Sequence, residues 1–165
     1  MAKMQLAFYE GGTKYDYLVK ARTWSDITHV ALLYTGDGGQ QTKLEAMPFK
    51  GVREVSWLQF PRPYIMHTYD IQGMTDDQAR KAAAWATEQL GRQYDYWVIL
   101  GYTIWLGRLQ HKKRWFCSEY AETAIRYAGI VLTPDYAPCR ISPARLMDSH
   151  LLIKGSTMTV NEGDN

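Results

Sequence analysis

The sequence predicts an α+β fold in which an antiparallel sheet packs against helices. Strand-like segments crowd the first half of the chain, helix-period segments follow them, and glycine-bearing turns separate the strands. The chain has 165 residues, 46% apolar and 22% charged, which suits one globular domain with a real core. Residues 1–154 are expected to form that domain, and the polar segment 155–165 a flexible tail.

Gln5 to Tyr9 reads as a short strand that Gly11-Gly12 ends, and Tyr15 to Thr23 as a short helix. Thr28 to Thr35, β-branched and apolar, is a strand, and Gly36-Asp37-Gly38-Gly39 is the turn after it. Lys43 to Phe49 and Val52 to Trp57 are strands divided by Lys50-Gly51, and Tyr64 to Ile71 is another. Thr75-Asp76-Asp77-Gln78 is a capping box. Ala79, Ala82, Ala83, Ala86 and Leu90 then make one helical face, which Gly91 stops. A more apolar helix is expected over Tyr96 to Arg108.

Cys117, Tyr120, Ala121, Ala124, Ile125 and Ala128 form a continuous helical stripe, with Glu119, Glu122, Thr123 and Arg126 off it and Gly129 at its end. Ser142-Pro143 has the N-cap and first-turn residues of a further short helix.

The stripe turns Cys117 inward in the first turn of its helix. The first amides of a helix lack internal partners, and the dipole is positive there. A thiolate is stabilised at such a position, and the same amides can bind an oxyanion. No Ser, Thr, Asp or Asn immediately precedes Cys117 to cap those amides, and His111-Lys112-Lys113-Arg114 upstream adds positive potential. Position alone also fits a small buried core cysteine, so partners decide. Of the four histidines, His29 and His67 lie in strands, His111 in the basic run and His150 near the last helix. If Tyr34 pairs with Thr42 across the Gly36–Gly39 turn, His29 opposes Met47 and Glu45 becomes its diagonal neighbour on the same face. Glu45 could then orient the imidazole, a relation that a one-residue slip would destroy.

In order along the chain, LAFYEGGTKYDYLVKA, WSDITHVALLY, LEAMPFKGVREVSW, LGRQYDYWV, WFCSEYAETAIRYAG and ISPARL resemble the circularly permuted, papain-like NlpC-type superfamily, in particular its YiiX-like branch. The resemblance spans most of residues 5–147 and rests on order and spacing together. It implies a permuted papain-like fold with Cys117 as nucleophile, His29 as base and Glu45 as the polar third member. His67 is the alternative third member, because some relatives pair two histidines. Tyr94 and Ser118 are candidates for holding substrate or donating to the oxyanion, and a packed tyrosine is the other reading of Tyr94. Tyr120 departs from the leucine that many relatives carry after Cys-Ser-Glu, and its bulk could narrow the site.

The resemblance implies a cysteine hydrolase that cleaves an amide or peptide bond through a thioester acyl-enzyme. A lipid acyltransferase or thioesterase of the same fold is the alternative, encouraged by the apolar Tyr96–Leu106 run, and an inactive binding module is a third. The substrate would be a peptide, a peptidoglycan fragment or a lipid-like acyl group. No cofactor is expected. Zinc is disfavoured by the lack of paired ligands, and nucleic acid by a net charge of +2. No transmembrane segment is expected, since the Tyr96–Leu106 run is too short to span a bilayer. Met1 to Tyr9 has no apolar core of signal-peptide length, so the chain is expected to be cytoplasmic at synthesis, consistent with a phage or bacterial enzyme.

Overall fold

The computed structural model describes residues 1–11, 24–60, 63–95 and 114–161. The helices expected over Tyr15 to Thr23 and over Tyr96 to Arg108 lie outside the described residues, as does the basic run except Arg114. Five strands open the described chain: β1 Lys3–Gly11, β2 Ile27–Thr35, β3 Gln41–Met47, β4 Gly51–Val55 and β5 Tyr64–Ile71. Helix α1, Asp76–Glu88, follows them. Two short strands, β6 Gln93–Tyr94 and β7 Arg114–Trp115, precede helix α2, Cys117–Tyr127. A 3-10 turn at Pro138–Arg140, helix α3 at Pro143–Met147 and strand β8 at Leu152–Val160 complete the fold. None of these helices is long and apolar enough to cross a membrane.

One six-stranded antiparallel sheet in the order β4-β3-β2-β1-β5-β8 organises the molecule, and β6 and β7 form a small parallel pair beside it. The fold is therefore α+β. Strand β2 is buried on both faces from Ile27 to Leu33. That is why its sequence is a continuous apolar run rather than an alternating one. Phe8, Val30, Leu32, Leu44 and Ala46 point to the face covered by α1 and α2. Four alanines of α1 are buried there, and their small side chains let the helix lie close to its neighbours. Tyr9, Ala31, Leu33, Met47, Tyr64 and Met66 make a second apolar layer on the other face, with Phe60 from the loop after β4. Each large side chain fully buried in these layers contributes roughly 1.5–3 kcal/mol.

Several sequence expectations hold in detail. Tyr34 pairs with Thr42, the register assumed for the β2–β3 hairpin. Thr75 and Gln78 form the reciprocal capping box. Ser142 caps α3 with Pro143 in its first turn. The whole Cys117 stripe is buried.

Other expectations need correction. The segment from 155 was read as a flexible tail, but Leu152–Val160 is the sheet's outer strand, paired with β5. Its serines and threonines suit an exposed edge strand, so their polarity marks an outer strand rather than a loose end. Thr68 on β5 accepts the Ser156 amide at 2.9 Å, and Val160 enters the second apolar layer. The ordered domain thus extends beyond residue 154. Helix α1 ends at Glu88, which leaves Leu90 partly exposed rather than on its buried face. Glu119 and Glu122, read as lying off the stripe, are also buried. Glu122 earns its place by accepting from Arg126 at 2.7 Å and from the Thr133 amide and hydroxyl at 3.2 and 3.0 Å.

Candidate active site

The ladder between β2 and β3 runs from Thr35–Gln41 to Leu32–Leu44 and stops there, although both strands continue. His29 and Glu45 lie in the unladdered half. There His29 Nε2 and Glu45 Oε2 are 2.9 Å apart, both side chains buried. The Cys117 side chain lies close enough to the His29 ring to raise its pKa. The imidazole therefore stands between a thiol and a carboxylate, the arrangement that fixes its tautomer and orientation.

Cys117 is the first residue of α2 and is 1% exposed. Phe116 is the N-cap residue, and its side chain makes no capping hydrogen bond. The N-terminus is held from two directions: Tyr120 donates to the Ala86 carbonyl of α1 at 3.0 Å, and Ser118 donates to the Ile141 carbonyl.

Glu45 is fully buried, and such a carboxylate persists only with partners. Arg53, its cross-strand neighbour on β4, donates to Oε1 from Nε at 2.9 Å and from Nη2 at 2.6 Å. The ammonium of Lys43 lies 3.4 Å from Oε2. Burial pulls the Glu45 carboxyl upward, but His29, Lys43 and Arg53 outweigh it and lower its pKa to about 2. Burial likewise pushes His29 down, yet its bonds to Cys117 and Glu45 prevail and raise it to about 9. Both groups are thus charged at neutral pH.

An aromatic wall closes the cluster. Phe60 stacks on His29 with ring centroids 5.4 Å apart, and Tyr9 stacks on Phe60 at 4.1 Å. Burial, with Glu45 and Tyr64 nearby, raises the Tyr9 phenol well above its ordinary value, so it is neutral.

The structure thus brings Cys117, His29 and Glu45 together. Tyr94 is buried, with its ring 5.8 Å from that of Phe116, the residue before the nucleophile. The Ser118 hydroxyl is committed to the Ile141 carbonyl. His67 is held elsewhere: it pairs with Glu10 at 2.7 Å and Thr157 at 3.0 Å, with β1 between its strand and β2. No group of three or more His, Cys, Asp or Glu among the described residues is arranged to hold a metal ion. Sequence reasoning missed Lys43, Arg53 and Phe60. The spacing in Lys43-Leu44-Glu45 was a usable signal, because residues two apart in a strand share a face. No family model matches the chain, and no curated protein matches it.

Proposed function

We propose that the protein is a cysteine hydrolase of permuted papain-like, NlpC-type architecture that cleaves an amide or peptide bond through a Cys117–His29–Glu45 triad. One observation carries the reading: His29 is bonded to an anchored carboxylate and also interacts with the Cys117 side chain. A cysteine buried merely for packing requires neither partner. His29 and Glu45 precede Cys117 in the chain, the order that a permuted papain-like enzyme requires, and site geometry rather than order defines such a triad.

In the proposed reaction the Cys117 proton already rests on the His29 imidazolium, and the sulfur attacks the carbonyl carbon. The uncapped amides at the start of α2 stabilise the oxyanion. Collapse of the intermediate breaks the carbon–nitrogen bond, and His29 gives its proton to the departing amine. Water, deprotonated by His29, then hydrolyses the thioester and returns the thiol. Glu45 holds the imidazole in place throughout and remains ionised.

Intact-mass measurement after exposure to a panel of amide, ester and thioester probes tests this reading. A covalent adduct that is lost in Cys117→Ala supports it and identifies the leaving-group class. No adduct with any probe, or an adduct that persists in Cys117→Ala, would overturn it.

A further inference from the structure

We propose that Lys43 is a positioning residue for His29: a buried cation that shares the Glu45 carboxylate with the imidazole and keeps the imidazolium proton deliverable. The proposal rests on the reading of Cys117 and His29 as an acyl-transfer pair.

Lys43 is fully buried on β3. An ammonium in such a place is costly unless paired, and an apolar side chain of similar length would fill the same space. Its surroundings are largely aromatic, with the Tyr9 and Phe60 ring centroids each 5.2 Å from Nζ. Its polar contacts among the described residues are the Gln59 carbonyl and Glu45 Oε2. Arg53 already supplies Oε1 with two donors. The charge of Lys43 therefore bears on the oxygen that His29 Nε2 holds.

Two cations on one carboxylate oxygen weaken each other's hold. Without Lys43, His29 would stand between an unshared carboxylate and the Cys117 sulfur. Its proton would then be bound too tightly for efficient delivery to a leaving amine near neutral pH. The groups around His29 agree with this balance. Glu45 and Lys43 come from β3, Arg53 from β4 acts through Glu45, and Cys117 comes from α2. Neutral Tyr9 faces the ring from β1, with Tyr64 of β5 beside it. Lys43 also ties down the backbone next to Phe60, the ring stacked on His29.

The test combines ring-nitrogen NMR titration of His29 with the pH dependence of Cys117 alkylation by iodoacetamide, in the full chain. Lys43→Met and Lys43→Gln should each raise the His29 midpoint by about half a unit or more. Lys43→Arg, which keeps the charge, should leave it within a few tenths. Gln retains a donor for the Gln59 carbonyl, so it answers the question if the Met variant does not fold. An unmoved or lowered midpoint in either folded neutral variant would overturn the proposal. Slow wild-type alkylation, no faster than that of Cys139, would overturn the acyl-transfer reading and this one with it. Fast wild-type alkylation with an unmoved midpoint would overturn this one alone.

Discussion

His29 and Glu45, sixteen positions apart in sequence, meet at 2.9 Å where the β2–β3 ladder has already stopped. Parted strands leave room for an imidazole to engage a carboxylate on one side and a sulfur on the other. Glu45→Gln keeps the shape of that contact and removes its charge. The variant is expected to lower turnover of any amide probe by about 10²–10⁴-fold, since an uncharged partner no longer stabilises and orients the imidazolium. Glu45→Ala should be worse for the fold. It leaves buried Lys43 and partly buried Arg53 without their anion, at a cost of about 3–5 kcal/mol measurable by chemical denaturation.

The same pair predicts how stability depends on pH. The pKa of His29 is raised from 6.5 to about 9, so its contribution is complete below 6.5 and is lost as pH rises through about 9. The pKa of Glu45 is lowered from 4.5 to about 2, so its contribution is complete above 4.5 and is lost as pH falls through about 2. Denaturation midpoints measured across pH should show both contributions between these windows. His29→Ala should lack most of the alkaline decline. Hydrolysis should fall in the same alkaline range, where His29 loses the proton it gives to the leaving group.

Much of the site was legible because strand alternation and helical periodicity are local rules. The Gly36–Gly39 turn set the Tyr34–Thr42 register, but the pairing stops at Leu32–Leu44, so His29 meets Glu45 beyond the ladder rather than opposing Met47 within it. The stripe from Cys117 to Ala128 gave the inward face of α2. Local rules failed where distant chain decides the outcome. Strand β8 looks like a polar tail until β5 is beside it. Glu122 looks solvent-facing until Thr133 and Arg126 supply its hydrogen bonds. Strand alternation puts Lys43 on the Glu45 face, but only the folded β3–β4 pair brings Arg53 to the carboxylate.

Gly51 is expected to tolerate no side chain. Its φ is +69°, and an added Cβ would lie 2.3 Å from the Arg92 carbonyl oxygen. The adjoining backbone is clamped: Val52 donates to Arg92 at 2.8 Å, and Gly91 donates to Val52 at 2.9 Å. Gly51→Ala should therefore cost roughly 2–4 kcal/mol in urea denaturation, from backbone strain and displacement of this clamp.

Tyr120 ties the nucleophile's helix to α1 through its bond to the Ala86 carbonyl. Tyr120→Phe removes one buried hydrogen bond without opening a cavity. The expected loss is about 1 kcal/mol, or about 2–4 °C in Tm, read by calorimetry.

The relative alkylation rates of the two cysteines bear most directly on the central claim. Iodoacetamide reaction at neutral pH, followed by peptide mass spectrometry, reports Cys117 and Cys139 in one experiment. Cys117 is 1% exposed while Cys139 is only half-buried, so accessibility alone favours Cys139. The account predicts the reverse: Cys117 reacts much faster, and His29→Ala slows it toward the rate of Cys139. Equal, slow labelling of both cysteines, unaffected by His29→Ala, would contradict it.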